Sequence, residues 1–321
     1  MATSPNRRAV LALLAAGAAP LHAQSAFPTH PLRIVVPFPP GSVGDSVPRS
    51  IALCMQAALG QPVVIDNKPG ASGAIGADAV AKAPPDGYTL LSHSSTLPIL
   101  PHLQKLPFDP LKDLAPITQT VSGSYVLVVQ PSFPANDLRG FIEVVRSRPG
   151  RLNYGSYGNG SGPHLAMELL KSRAGLFIVH VPFRGAAPAL QELLAGRLDM
   201  AFDTSVAVLP HVRAGKLKAI AVGGSRPVDA LPGVAPVATV LPGFDADGWQ
   251  GLFAPAGTPR DIVGRLHAEA VKALQAPDFV RTMADTGFSV VGNTPEQFAA
   301  VMREQHDKWG RLVRERGIRG D

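Results

Sequence analysis

The sequence has few of the features that hold small or unusual folds together. Its single cysteine, Cys54, excludes an internal disulfide, and the chain has no internal repeat of roughly 20 to 50 residues, which excludes a solenoid or propeller. The 32 glycines and 32 prolines follow no G-X-Y period, which excludes a collagenous tract. Only 17% of the 321 residues are charged and 45% are hydrophobic, a balance that argues against disorder. The length instead suits two α/β domains of ordinary size.

The sequence also lacks an apolar run long enough to span a membrane. The stretch Ala9–Leu21 is interrupted by a glycine and a proline and falls short of the roughly 20 residues that a spanning helix needs. Arg7 and Arg8 precede it, and small residues follow. Because this order is typical of secretory signals rather than of membrane anchors, we predict that residues 1–24 are an export signal and that the mature chain is periplasmic. The two arginines leave the choice between the Sec and twin-arginine routes open, and no cysteine lies near the cleavage point, so a lipoprotein is not expected.

Positive charge is scattered along the mature chain. Residues 1–24 contain two arginines and no acidic residue, so their removal lowers the formal net charge from +6 to +4. Because the remaining lysines and arginines form no basic stripe, no nucleic-acid partner is expected. A mildly positive field favours anionic small molecules.

Short apolar runs alternate with helical patterns from residue 31 onward. The segments LRIVVPF, PVVID and YTLLS read as buried strands separated by helices near 46–59 and 72–83, which is a parallel βαβαβ order. A second series of the same kind begins at YVLVVQ, residues 125–130. We therefore predict an α/β fold with two domains, each a mostly parallel sheet flanked by helices.

The last third of the sequence changes character. GWQGLFAP reads as one more strand, and three helical patterns follow, near 259–275, 278–286 and 294–316. Three helices in succession cannot continue a parallel sheet, so we predict that they cover the first domain. This gives a discontinuous domain I of residues 25–124 and 247–321, a domain II of residues 125–246, and two crossings between them. Two sequential domains with a helical tail are the alternative.

Two loops rich in glycine and serine stand at the starts of predicted helices. The first, PPGSVGDS at residues 39–46, lacks the lysine of a phosphate-binding loop, the G-x-G-x-x-G of a dinucleotide site and the G-x-S-x-G of a nucleophile elbow. What remains is a concave loop at a helix N-terminus, which offers uncharged backbone N–H groups as hydrogen-bond donors. The second, YGSYGNGSGPH at residues 154–164, occupies the equivalent place in the second series. Each loop alone could be a structural turn, but together they favour a shared anionic ligand.

Several longer segments resemble a known family. FPPGSVGDSVPR, VIDNKPGASGAIGADAVAKAPPDGYTLL, LPFDPLKDLAPIT, RPGRLNYGSYGNGSGPHLAMELL, HVPFRGAAPALQELLAGRLDMAFD and GLFAPAGTPRDIV are similar, in this order, to the Bug family of TctC-like receptors of tripartite tricarboxylate transporters. The resemblance implies a periplasmic binding protein with a type II-like clamshell, monomeric and without a cofactor or metal. It implies a small organic acid as ligand, such as a di- or tricarboxylate, an amino acid or an aromatic acid, and membrane transporter subunits as partners.

The resemblance also implies a set of ligand-binding residues, which come from five strand ends and helix starts. They are Phe38, Gly41, Ser42, Asp45, Ser92, Ser94, Thr96, Ser156, Gly158, Asn159, Ser161, His164, Gly185, Ala186 and Asp203. The sequence departs from the family pattern at Ser42, where a second glycine is usual, and at Pro48, where a small residue is usual.

Three of these residues have alternative interpretations. Asp45 could cap its helix without contacting a ligand, or it could do both. His164 could cap its helix or pack instead of contacting a ligand. Asp203 would repel an anion unless it binds an amine, a hydroxyl or a water, which makes it a candidate for selectivity.

Two other functions are alternatives. An exported hydrolase fits the sequence less well than a receptor, and a sensory adaptor fits its ligand-binding features equally well. An exported hydrolase would need a catalytic triad or paired carboxylates, and no such spacing is recognisable. A sensory adaptor that docks on a membrane signalling protein would bind a ligand in the same way as a transport receptor. The sequence predicts a receptor rather than an enzyme and does not name the solute.

Overall fold

The structure is a computed structural model that describes residues 27–320. The predicted export signal at residues 1–24 lies outside the described residues. Across residues 27–320, no helix combines the length and the apolar character that crossing a membrane requires.

The first series of elements forms the first lobe, which we define by strands β1 (Leu32–Val36), β2 (Val63–Asn67) and β3 (Thr89–Ser94) and the helices between them. β1 is buried along most of its length and pairs in parallel with β2 on one side and β3 on the other. Helix α1 (Val43–Leu59) turns the apolar side chains of Val47, Ile51, Met55 and Leu59 toward this sheet at helical spacing. The elements are β1 (Leu32–Val36), α1 (Val43–Leu59), β2 (Val63–Asn67), α2 (Ala74–Ala81), β3 (Thr89–Ser94) and α3 (Leu100–Leu103), with a 3₁₀ turn at Ala71–Gly73.

The second series forms the second lobe, which we define by strands β5 (Asn153–Ser156), β6 (Val179–Pro182), β7 (Met200–Thr204) and β8 (Lys218–Val222) and their helices. β5 pairs in parallel with β6 and β7, as the alternating sequence pattern predicts. The elements are α4 (Leu138–Arg146), β5 (Asn153–Ser156), α5 (Gly162–Ala174), β6 (Val179–Pro182), α6 (Ala186–Leu194), β7 (Met200–Thr204), α7 (Ser205–Arg213) and β8 (Lys218–Val222), with a 3₁₀ turn at Val237–Thr239.

One long strand connects the two lobes. β4 (Leu114–Val129) begins well before the segment predicted as a strand, which was residues 125–130. Its first part pairs antiparallel with β9 (Asp247–Pro255), and its last part pairs antiparallel with β7 and β8. The described strands thereby form one continuous sheet in the order β2-β1-β3-β9-β4-β7-β5-β6. The α/β fold class is confirmed, but the centre of the sheet is antiparallel because β4 and β9 run in opposite directions.

The C-terminal elements agree with the sequence pattern except for one short strand. The three predicted helices are α8 (Arg260–Leu274), α9 (Pro277–Asp285) and α10 (Pro295–Arg316). A strand that sequence reasoning missed, β10 (Phe288–Val290), pairs antiparallel with β4. α10 begins with a capping box in which Thr294 and Gln297 exchange side-chain to backbone hydrogen bonds.

Helix α10 packs on both lobes. Phe298 and Met302, in its first half, are buried with side chains of the first lobe, whereas Trp309, Leu312 and Val313 are buried in the core of the second lobe. The last helix therefore does more than cover the first domain. The domain boundaries themselves stay a prediction.

A buried ionic network fixes the end of α10 to the second lobe. The Glu168 carboxylate on α5 accepts hydrogen bonds from the Tyr154 hydroxyl at 2.8 Å, from Arg316 Nε at 2.9 Å and from Lys171 Nζ. Burial would raise the pKa of Glu168, but these three partners outweigh it and hold the pKa below its usual value. Both Glu168 and Lys171 are less than a tenth exposed. The Glu168 carboxylate is therefore the only counter-charge that this network gives the buried Lys171 ammonium.

We expect Glu168→Gln to destabilise the protein by about 3 to 5 kcal/mol, because it leaves Lys171 as an uncompensated buried charge. Urea denaturation measures the change. Glu192→Gln is the control, since the Glu192–Arg197 pair lies on the surface and its loss should change stability little. Equal effects of the two substitutions would contradict the role given to the buried network.

Candidate ligand-binding cleft

A cleft of about 570 Å³ lies between the two lobes, a size typical of small-molecule sites. Loops that follow β1, β2 and β3 form one wall, and loops that follow β5, β6 and β7 form the other. β4 and β9 cross its floor at Gly123, Tyr125 and residues 248–250. The cleft thus lies beyond the carboxyl ends of the parallel strands, where ligands bind in open α/β sheets.

Eight of the fifteen residues predicted from the sequence line this cleft. They come from both lobes, so the structure brings the two predicted loops together across one space. These residues are Phe38, Ser42, Ser94, Thr96, Gly158, Asn159, Ser161 and Ala186. Their contact with a ligand stays a prediction.

The other seven predicted residues do not line the cleft. Some stand one position away from a residue that does, as Gly185 stands before Ala186, and others lie buried behind the wall. These seven are Gly41, Asp45, Ser92, Ser156, His164, Gly185 and Asp203.

Asp45 fixes the first loop from behind instead of capping α1. The helix begins at Val43 with Ser42 as its N-cap residue, so the prediction that Asp45 is the N-cap is wrong. The buried Asp45 carboxylate accepts hydrogen bonds from Gly41 N–H at 2.9 Å, Arg49 Nε at 2.7 Å and Asn67 Nδ2 at 2.8 Å. Burial would raise the pKa of Asp45, but these donors lower it to about 2. Asp45 is thus an ionised anchor for the loop that carries Ser42.

The Ser156 and His164 side chains support the second loop from beneath. His164 Nδ1 accepts the Gly160 N–H at 2.9 Å, and the His164 ring stacks on His180 at 4.0 Å. Ser156 Oγ lies 2.7 Å from His180 Nε2. Neither Ser156 nor His164 lines the cleft, so these contacts shape residues 157–161 from behind its wall.

Asp203 lies behind Tyr157. Its carboxylate is 2% exposed and accepts hydrogen bonds from the Tyr157 hydroxyl and from the Thr204 N–H, the latter at 2.6 Å. Burial raises the pKa of Asp203 to about 6, although both hydrogen bonds oppose the shift. Tyr157 and Thr204 line the cleft where sequence reasoning placed Asp203. A direct contact of Asp203 with a ligand is therefore not available in this arrangement.

Sequence reasoning predicted Phe38 but missed the four other aromatic residues of the cleft. Tyr125, Tyr157, Trp249 and Phe288 all line it. Two of them lie on the segments predicted to cross between domains, and a crossing segment must pass the interdomain space, so this signal was present in the sequence. The Trp249 indole N–H is buried and has no hydrogen-bond partner among the described residues.

Glycines allow Tyr125 to stand in the floor of the cleft. A methyl group on Gly162 would overlap the Tyr125 hydroxyl, and one on Gly248 would press on the same ring. Burial raises the pKa of Tyr125 to about 12. Tyr125 is therefore a neutral group at the junction of the two lobes.

Five helix N-termini open on the cleft, at Ser42, Gly73, Ser161, Ala186 and Thr204. Such ends carry partial positive charge. Two of them have a carboxylate of their own, because Asp45 lies in the first turn of α1 and Asp203 accepts the N–H just before α7. The first turns of α2, α5 and α6 contain no acidic residue. The uncompensated positive potential therefore comes from one helix start in the first lobe and two in the second.

The described residues that line the cleft include no charged side chain. Within the same part of the chain, no group of three or more histidine, cysteine, aspartate or glutamate side chains is placed to bind a metal ion. A ligand in the cleft would meet backbone N–H groups, hydroxyls, amides and aromatic rings.

Comparison with known proteins assigns the fold and the family. The sequence profile described as "Tripartite tricarboxylate transporter family receptor" (TctC) matches residues 47–318. The chain belongs to the TctC family. Members of this family are periplasmic receptors, so the chain has the family and the fold of solute-binding proteins rather than of enzymes.

Individual TctC relatives match over nearly their whole length. The protein BugT of Bordetella pertussis is 36% identical, and the match covers 94% of this chain and 94% of BugT. The solved structure of R. palustris Rpa4515 with adipate is 31% identical with a TM-score of 0.81, and covers 91% of this chain and 99% of that protein. MatC from Rhodopseudomonas palustris, solved with bound malate, is 35% identical with a TM-score of 0.77, and covers 89% and 100%.

The raised pKa of Asp203 gives stability a defined pH dependence. Between its usual pKa of 3.8 and the folded value of about 6, the native state holds a proton that the unfolded state has lost, so stability falls as the pH rises through this window. We expect Asp203→Asn to abolish this dependence. The stability of the wild type should fall relative to the variant by about 3 kcal/mol between about pH 4 and about pH 7, measured by urea denaturation.

Asp45→Asn is a control, because the pKa shift of Asp45 is opposite in sign to that of Asp203. Because the pKa of Asp45 is lowered to about 2, its ionic contribution is lost only as the pH falls below about 4. The difference between wild type and this variant should stay constant across the window used for Asp203. A constant difference for Asp203→Asn as well would show that Asp203 ionises normally.

Proposed function

We propose that this TctC receptor captures a small organic anion of the carboxylate class in the cleft and delivers it to a tripartite tricarboxylate-type membrane transporter. The observation that carries the proposal is the open N-terminus of α5, which faces the cleft without any acidic residue in its first turn. Free N–H groups and partial positive charge at such an end suit a carboxylate.

The surroundings of α5 add donors that need no charge. Ser161, the N-cap residue, lines the cleft, and its hydroxyl donates to the Gly158 carbonyl at 2.8 Å, which leaves the backbone N–H groups of the first turn without a side-chain cap. Across the cleft, Ser94 Oγ and Thr96 Oγ1 lie 2.9 Å apart, so one of these hydroxyls donates to the other. These groups favour reversible binding of an anion by uncharged hydrogen-bond donors of the protein.

The polar pairs of the second lobe support binding rather than hydrolysis. Ser156 and His180 lie at the distance that a nucleophile and its base require. However, Ser156 is 1% exposed and does not line the cleft. A substrate in the cleft would not reach this hydroxyl.

The relatives support the class of ligand and of partner. MatC was solved with malate and Rpa4515 with adipate, both small carboxylates. The family description supplies the partner, because it names a receptor of a tripartite tricarboxylate transporter. Delivery predicts that the loaded receptor co-purifies with transporter membrane subunits in preference to the empty one.

A matched pair of substitutions at Ser161 tests the carboxylate site. Ser161→Asp places a carboxylate at the N-terminus of α5, where it should stabilise the helix but compete with the ligand for the same N–H groups. Ser161→Asn keeps a capping side chain of the same size without the charge. We expect calorimetry on the acid that binds best to show at least about a tenfold loss for Asp and near wild-type affinity for Asn.

The ligand for this experiment comes from a thermal-shift screen of mono-, di- and tricarboxylates and amino acids, since a ligand of the native state raises apparent stability. Recovered ligand should be chemically unchanged after prolonged incubation. If Ser161→Asp binds the acid as tightly as Ser161→Asn does, the carboxylate does not lie at α5 and the proposal fails.

A further inference from the structure

His164 holds one backbone N–H of the second cleft loop, residues 157–161, from behind the wall. Its Nδ1 atom accepts the Gly160 N–H at 2.9 Å, and both residues are buried. An imidazole nitrogen accepts a hydrogen bond only while it carries no proton. The bond therefore requires a neutral His164 ring whose hydrogen lies on Nε2.

Gly160 is a point at which this loop meets the first lobe. Gly160 and Leu103, the last residue of α3, both line the cleft, and a methyl group on Gly160 would overlap the Leu103 side chain. Gly160 has a φ of +73°, a conformation that glycine adopts readily and other residues rarely do. The Gly160 backbone therefore packs directly on Leu103, and its position sets how closely the two lobes approach there.

Two features of the surroundings oppose a positive charge on His164. Its ring stacks on the His180 ring at 4.0 Å, with the two planes 7° apart. A proton on one of these imidazoles opposes a proton on the other, because like charges at this distance repel. His164 is also the third residue of α5, where the positive end of the helix opposes a further positive charge.

The other titratable and charged groups around this stack have partners of their own. With His180 on β6, these groups are Tyr154 on β5, Glu168 and Lys171 on α5, Asp203 on β7 and Arg316 on α10. Glu168 is paired with Lys171 and Arg316. Asp203 accepts the Tyr157 hydroxyl. Both carboxylates are thus bonded to groups other than the His164 ring.

We infer that His164 is a positioning residue of the ligand-binding cleft, which in its neutral form holds the Gly160 backbone against Leu103 and on protonation releases it. A proton on Nδ1 would face the Gly160 N–H, so one of the two groups has to move. Asn159 and Ser161, which line the cleft on either side of Gly160, move with it. The inference rests on the proposed function, to which it adds a loss of ligand affinity in acid.

The Gly160 amide signal tests the inference without any ligand. An amide bonded to a titrating ring changes its chemical shift as the ring takes up a proton, and an ordinary imidazole does so near about pH 6.5. We expect nitrogen-15 NMR on the full mature chain to show this titration of Gly160 in the wild type. His164→Asn should abolish it, because the asparagine Oδ1 accepts the same N–H and takes up no proton.

Two further variants separate this role from packing and from the carboxylate behind Tyr157. His164→Leu has a branched side chain without an acceptor, and its Gly160 amide should be at least about tenfold less protected from hydrogen exchange than in His164→Asn. Asp203→Asn removes a carboxyl group whose pKa is raised to about 6 by burial and so lies in the same pH range. The Gly160 titration should persist in this variant.

Three results of these measurements overturn the inference. They are a Gly160 titration that survives in His164→Asn, a titration that disappears in Asp203→Asn, and equal protection of the Gly160 amide in His164→Leu and His164→Asn. Thermal melts establish that each variant folds.

Affinity for a carboxylate is the second readout. The ratio of the wild-type Kd to the His164→Asn Kd cancels the titration of the acid itself. We expect calorimetry with malate and with adipate to show this ratio rising at least about threefold between about pH 7.5 and about pH 5.5, since a site that needs a neutral ring weakens by up to about tenfold per pH unit once the ring is protonated.

The two readouts distinguish failure of the inference from failure of the proposed function. A ratio that stays constant for an acid that binds overturns the inference and leaves the proposed function standing. If neither malate, adipate nor any other acid of the thermal-shift screen binds, the proposed function fails, and the Gly160 titration still decides whether His164 positions the loop.

Discussion

The structure depends on the backbone hydrogen bonds of β4. This strand pairs with β9 over residues 114–124 and with β7 and β8 over residues 126–129, so the two lobes share one sheet. Where the pairing changes lobes, Gly123 lies opposite Gly248, and both line the cleft. The absence of side chains at this pair lets the rings of Tyr125 and Phe288 approach the backbone. The floor of the cleft is therefore built from main chain and aromatic rings.

The walls of the cleft are uncharged because the acidic side chains near it are hydrogen-bonded behind its loops. Asp45 and Asp203 lie next to helix N-termini that face the cleft, yet each is turned inward and hydrogen-bonded to the loop that it supports. The same carboxylates that shape the loops also offset the helix charge at α1 and α7. The starts of α2, α5 and α6 have no acidic residue in their first turns and keep their partial positive charge. Both lobes therefore present positive helix ends to the cleft, although none of the described residues that line it has a charged side chain.

Periodicity and turn residues predicted the two βα series, the three C-terminal helices and the two loops that meet at the cleft. The early part of β4 was missed because LAPITQTVSG contains a proline and many polar residues, and only pairing on both sides makes it a strand. Two of the predicted residues that do not line the cleft fail for different reasons. Asp203 fails by parity, since its neighbour Thr204 lines the cleft. Ser92 lies two positions before Ser94, which lines the cleft, and is buried within β3 instead of at its end. Neighbouring strand residues point to opposite faces, and the sequence does not show how a bend at the strand end directs the last side chains.

The position of Trp309, Leu312 and Val313 at the end of the chain affects how the protein folds. These residues complete the hydrophobic core of the second lobe, whose other members come from residues 99–246. During synthesis that core stays incomplete until the last turns of α10 emerge, so the second lobe cannot finish folding before α10 has been made. A nicked or truncated chain without these turns would expose an apolar groove on an otherwise complete lobe. Such an exposed apolar surface favours aggregation.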